Sequence, residues 1–270
     1  MNLTMARCVF DFSSKALGKA VSISVILPDT DEIPENGWKV IYLLHGWSEN
    51  HTAWTRYTSI ERYAMKRDLA VVMPDCEFSF YNDMANGLKY FTYITEELPA
   101  VCSKYFRIST RREDTFIGGL SMGGCGALTT GLTRPDLYAG VICMSAANFP
   151  VSAFPEQAKT VTEESWPGWH GAMRRIYGDR FPDLAGTKYD VYEMADAIVK
   201  AGGPYPIVFH YMGTGEIDNL EWARRDESKF LSYAGNPFNY KLVTYPGIHN
   251  WDAWDAHIEE ALDYVGLTEK

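Results

Sequence analysis

No stretch of this 270-residue chain approaches the run of ~20 apolar residues that crosses a bilayer, which speaks against a membrane-spanning protein. Nor does the start, Met1 to Phe12, hold a basic segment followed by a long apolar one. The expectation is therefore no signal peptide and a cytoplasmic location. Positive charge is short as well: 25 Lys and Arg against 35 Asp and Glu leave a net charge of −10. Nucleic acid and anionic membrane surfaces would be repelled by such a chain. Cysteine is scarce, five residues that never fall as C-x-x-C, which argues against a disulfide framework and a structural zinc site. Phosphate-cradling loops are missing too. After Gly118…Gly123 comes Gly124 where a P-loop needs Lys, and after Gly124-x-Gly126 position 129 is Thr where a dinucleotide fingerprint wants Gly or Ala. There is no internal repeat and no low-complexity linker. What is present is ordinary globular stock, 46% hydrophobic and 22% charged, with an aromatic share of 14% high enough to hint at a lined pocket.

The apolar residues come in a rhythm. Residues 21–27 alternate and end at Pro28, whereas 39–44 and 69–73 are continuous apolar runs of the kind a sheet buried on both faces requires. Further strands are expected at 115–117, 138–144, 206–212 and 240–245, with helices near 59–67, 91–106 and 220–233. Pro99 is expected to kink the second of these helices. In a closing helix Trp251, Trp254, Ile258, Leu262 and Val265 share one face. Strand and helix in alternation predict one α/β domain over 1–270, a mostly parallel sheet with helices on both faces. The rhythm breaks at 148–204, which holds Phe149, Phe154, Trp166, Trp169, Tyr177 and Phe181. A structureless loop of that length does not suit a compact domain, so the stretch reads as an insertion of short helices before the penultimate strand. It is expected to cover the site in part, with Trp166 and Trp169 beside an apolar substrate pocket.

The chemistry is concentrated at Gly119-Leu120-Ser121-Met122-Gly123, which fits G-x-S-x-G after a short apolar run. In that pattern a strand turns sharply into a helix and holds the serine hydroxyl exposed on a strained backbone. A serine needs a base, and on such a sheet the order along the chain is Ser, then Asp or Glu, then His. Of six histidines, His249 alone follows the last expected strand at its turn into the last helix. The acid should leave the strand ending near Met212, where Glu216 and Asp218 compete. Glu216 is preferred, lying three residues past Gly213, while Asp218 could cap the next helix. Developing negative charge on a substrate oxygen would be met by backbone N–H groups of Met122 and of Trp47, chosen by position after the serine and after His45-Gly46.

These motifs carry a family resemblance. Residues 42–50, Tyr-Leu-Leu-His-Gly-Trp-Ser-Glu-Asn, together with 118–128, Glu96-Glu-Leu-Pro and Gly247-Ile-His-Asn-Trp-Asp-Ala-Trp, resemble the esterase D-like α/β-hydrolases. The tributyrin and feruloyl esterase branch is the most similar, over about residues 21–265. The resemblance implies a serine carboxylesterase for small-molecule esters with short or aromatic acyl groups, and no metal or organic cofactor. It puts the nucleophile on Ser121, the base on His249 and the oxyanion donors on Trp47 and Met122. One position departs: where the family usually has aspartate this chain has Glu216. S-formylglutathione hydrolases of the same group usually read Ser-Gly-Leu-Thr-Cys where this chain has His45-Gly-Trp-Ser-Glu, which weighs against a glutathione substrate. A thioesterase and a non-catalytic binding protein on the same fold are the alternatives. The sequence leaves homo-oligomerisation open.

Overall fold

Strand β3 (Val40–Leu44) is buried at every position, and its side chains divide between two cores. Val40, Tyr42 and Leu44 enter one cluster, with Leu98, Cys102 and Leu128; Ile41 and Leu43 enter the other, with Trp54, Ile60 and Ile258. A strand covered on both faces has no solvent side to alternate toward, which is why its sequence is an unbroken apolar run. The same holds for β4 (Ala70–Pro74), β5 (Thr115–Leu120) and β6 (Gly140–Met144).

The structure, a computed structural model, describes residues 4–30 and 33–270; the side chain of Asp218 is also outside the described residues. With β1 (Thr4–Ser14), β2 (Lys19–Asp29), β7 (Ile207–Gly213) and β8 (Lys241–Tyr245), the strands form one eight-stranded sheet in the order β1-β2-β4-β3-β5-β6-β7-β8. Only β1–β2 and β2–β4 are antiparallel, and every other neighbouring pair is parallel. Strand β1 was not expected from the sequence. It is an edge strand, mostly exposed, and carries Cys8 and Val9 to solvent, so it lacks the apolar run that marks the central strands.

The helices, in order, are α1 (Ala53–Tyr57), α2 (Ile60–Met65), α3 (Tyr90–Thr92), α4 (Leu98–Phe106), α5 (Met122–Thr133), α6 (Phe149–Ser152), α7 (Phe154–Thr160), α8 (Trp169–Tyr177), α9 (Val191–Ala201), α10 (Ile217–Leu231) and α11 (Trp251–Tyr264). The helix expected at 91–106 is interrupted by a π turn, Tyr93–Glu97, just before Pro99. Proline has no N–H to give the carbonyl four residues back, and widening the preceding turn relieves the resulting clash. Helices α6 to α9 occupy the stretch between β6 and β7. They pack there around an aromatic cluster of Phe154, Trp169, Tyr177 and Phe181. Among the described residues no helix is long and apolar enough to cross a membrane.

Candidate active site

Ser121 stands between the last residue of β5 and the first of α5, with φ 53° and ψ −122°. A positive φ at a residue with a side chain costs about 1–3 kcal/mol and persists only where the surroundings fix it. Here the Ser121 N–H donates to Met144 O at 2.9 Å, and its carbonyl accepts from Cys125 N–H at 3.0 Å. The flanking glycines are required by space. A Cβ on Gly119 would overlap the Gly123 carbonyl, and one on Gly123 would overlap the Leu44 carbonyl.

Two strands along, His249 and Glu216 meet. His249 Nδ1–H donates to Glu216 Oε2 at 2.6 Å, and Asn219 Nδ2 donates to the same oxygen at 2.9 Å. The other oxygen, Oε1, accepts from the Ser145 hydroxyl at 2.5 Å and from Gly213 N–H at 3.4 Å. Burial alone would push this carboxyl up, since Glu216 is only 7% exposed. The hydrogen bonds from His249, Ser145 and Asn219 more than offset that and hold it below the usual carboxylate range. Glu216 is therefore ionised, its partner nitrogen keeps the proton, and the far nitrogen of His249, Nε2, is left as the acceptor. The imidazole is steadied on its other side by the Trp254 ring, edge to face at 5.0 Å.

Strand order explains why these groups converge. Leu120 pairs with Met144 across β5 and β6, Met144 with Tyr211 across β6 and β7, and Gly213 with Tyr245 across β7 and β8. Ser121, Ser145, Glu216 and His249 thus all leave the carboxyl ends of neighbouring parallel strands. Ser145 was missed in the sequence. It is fully buried at φ 48°, donates to Glu216 and accepts from Trp254 Nε1–H at 2.8 Å. Nothing in the local sequence marks it, because its contact comes from lying one strand away from Glu216. Among the described residues, neither the Ser121 hydroxyl nor His249 Nε2 has a hydrogen-bond partner, and no hydrogen bond joins the two. Asp218 lies on the first turn of α10, but its side chain is outside the described residues.

On the other side of Ser121, the turn after β3 is locked by His45. Its Nδ1–H donates to Gly46 O at 2.7 Å, its Nε2 accepts Cys76 N–H at 3.0 Å, and Tyr81 OH donates to His45 O at 2.7 Å. Burial pushes this imidazole below its ordinary range, so it is neutral and fixed in one tautomer. His210 is likewise internal: burial pushes it down to about 4, and its two nitrogens are bound by Tyr240 OH and Ala146 O. Among the described residues, the N–H groups of Trp47 and Met122 donate to no protein acceptor. The Trp47 ring packs against Phe78, Phe80 and Trp166, the last at 4.7 Å.

The two tryptophans of the insertion therefore part company. Trp166 is 37% exposed and meets the turn that carries Trp47. Trp169 is only 1% exposed and sealed against Phe154 and Phe181, which makes it part of the insertion's core. Of the two, it is Trp166 that reaches the turn carrying Trp47, while Trp169 stands behind it in the insertion's aromatic core.

Comparison with known proteins places the chain among relatives. The esterase family model matches residues 14–265. An acetyl esterase of Caldicellulosiruptor saccharolyticus is 31% identical over 97% of this chain and 98% of its own length. Among solved structures, the fluorophosphonate-binding serine hydrolase F of Staphylococcus aureus, with substrate bound, is 29% identical. It superposes with a TM-score of 0.81 over 98% of this chain and 99% of its own. An S-formylglutathione hydrolase of the same organism is 30% identical, with a TM-score of 0.81 over 98% of this chain and all of its own. The chain belongs to the esterase family, as a serine hydrolase of carboxylic esters built on the α/β-hydrolase fold.

Proposed function

We propose that Ser121, His249 and Glu216 act as nucleophile, base and acid in an acyl-enzyme mechanism. His249 Nε2 takes the hydroxyl proton as Ser121 Oγ bonds to the ester carbonyl carbon, and the ionised Glu216 stabilises the imidazolium that forms. The carbonyl oxygen, now negative, is held by the N–H groups of Trp47 and Met122. Collapse of this intermediate breaks the C–O bond, and His249 returns the proton to the leaving alcohol. Water then attacks the acyl-enzyme by the same route, releasing the acid and restoring Ser121. The observation that carries the reading is the 2.6 Å contact between His249 Nδ1 and the buried, ionised Glu216. That contact commits Nε2 to accepting a proton.

The acyl group is short or aromatic, because the half-exposed Trp166 closes an apolar surface onto Trp47 beside the oxyanion donors. Thioester hydrolysis is the second reading. It is supported by the 30% identity to a protein named S-formylglutathione hydrolase. The chain's five cysteines are all unpaired, which suits a reducing compartment such as the cytoplasm. The test is Ser121→Ala assayed beside the parent enzyme on an ester panel of increasing acyl length, with feruloyl, acetyl-sugar and S-acyl glutathione substrates. The variant should fold, lose labelling by a fluorophosphonate, and fall in kcat by several orders of magnitude. Near-parental turnover by Ser121→Ala would end the proposal.

A further inference from the structure

The oxyanion turn and the base loop come from opposite ends of the chain, yet one side chain joins them. Glu49 Oε2 accepts the Gly46 N–H at 2.9 Å, and Glu49 Oε1 accepts the Trp251 Nε1–H at 2.8 Å, across 202 residues of sequence. The Gly46 amide is the peptide immediately before the one whose N–H belongs to Trp47. Trp251 opens α11 two residues after His249, and its ring is held edge to face by Trp54 at 5.3 Å and Trp254 at 5.2 Å. The fit at the turn is close. A Cβ on Gly46 would stand 3.0 Å from Glu49 Oε2 and 3.0 Å from Leu120 Cδ1, so a side chain there would push the carboxylate back by a few tenths of an ångström. Trp254, which braces this end of Trp251, also packs on His249 and donates to Ser145.

A carboxylate serving only as surface charge would face water or a cation. Both oxygens of Glu49 are instead used by neutral N–H donors, one from each wall of the site. We propose that Glu49 is a positioning residue that fixes the separation between the oxyanion donor Trp47 and the base His249. This rests on the serine-esterase reading of the site. Acting through Trp47, Glu49 contributes to the transition state and little to the bound ester, since the oxyanion exists only after attack.

The test is a set of four variants, Glu49→Ala, Glu49→Gln, Trp251→Phe and Glu49→Ala with Trp251→Phe, assayed on one activated ester. Loss of the tie should lower kcat and kcat/KM together by about 10- to 100-fold in Glu49→Ala, with KM within about twofold of the parent. Glu49→Gln keeps the shape but turns an NH2 toward one of the two donors, so it should fall between Glu49→Ala and the parent. Trp251→Phe cuts only the far anchor, and the double variant should be no worse than Glu49→Ala alone, because both changes break one connection. Parental kcat in a folded Glu49→Ala enzyme, or losses that multiply in the double variant, would overturn the proposal. If Glu49→Ala does not fold, Glu49→Gln decides: reduced kcat at unchanged KM supports the tie, and parental kcat sinks it. Ser121→Ala run in parallel keeps the two readings apart, since activity there would fail the esterase mechanism whatever Glu49 does.

Discussion

Glu216 occupies a site whose burial ought to keep it protonated, and its donors keep it charged instead. Glutamate reaches one methylene further than aspartate. The extra length lets a side chain at the start of α10 touch both Ser145 and His249 at once. Because its folded pKa lies below the ordinary glutamate range, its ionised contacts are intact throughout the neutral range. They are lost only as pH falls through that lowered value. Replacement by the near-isosteric Gln removes the charge while keeping the volume. Glu216→Gln should lower kcat by up to ~10⁴-fold with little change in KM, as loss of the acid does in serine hydrolases. Asp218→Asn, in the first turn of α10 whose N-cap is Glu216, should cost at most a charge–dipole interaction, about 0.3–1 kcal/mol. Steady-state kinetics of both on one activated ester check this, and a crippled Asp218→Asn beside an active Glu216→Gln would reverse the assignment.

At the scale of elements, the insertion is fastened to α10 and to itself by buried carboxylates. Asp226, inside α10, accepts Asn148 N–H at 2.9 Å and Tyr192 OH at 2.8 Å, while Asn148 Nδ2 donates to Asp190 at 2.9 Å. Burial pushes Asp226 up to about 7. A folded pKa above the unfolded one, about 3.9, means the group's contribution to stability is complete at low pH. It drains away as pH rises toward 7. Asp226→Asn removes that titration, so its Tm relative to the parent should climb between pH 5 and pH 8. A parallel pair of Tm–pH curves would contradict this. How much of these elements could be read in advance depended on what covers them. Strands β3 to β6 were legible because burial on both faces forces continuous apolar runs, whereas β1, exposed at the edge, leaves no such trace. Ser121 and His249 were legible because each sits in a local motif at a strand exit. Ser145 and Glu49 were not, since their partners Glu216 and Trp251 lie 71 and 202 residues away and meet them only through strand order.

For the whole molecule, Trp166 brings the insertion between β6 and β7 against the turn after β3 at Trp47, so in the proposed reading the insertion borders the site. Acyl selectivity should therefore reside in the insertion and chemistry in the sheet. Trp166→Ala should raise KM for aromatic acyl esters by about two- to tenfold, the worth of one aromatic contact, and leave acetyl ester kinetics nearly unchanged. If esters of twelve-carbon acids prove the best substrates of the parent enzyme, the insertion does not limit acyl size. Cys8 on the outer strand is exposed, while Cys76, Cys102, Cys125 and Cys143 are buried, with the thiols of Cys102 and Cys125 pushed up to about 12 by desolvation. A thiol reagent should modify one cysteine of the folded protein quickly and five of the unfolded chain. Once Cys8 is blocked, the slow alkylation of Cys125, one helical turn past Ser121, becomes a clock for the opening of the elbow itself.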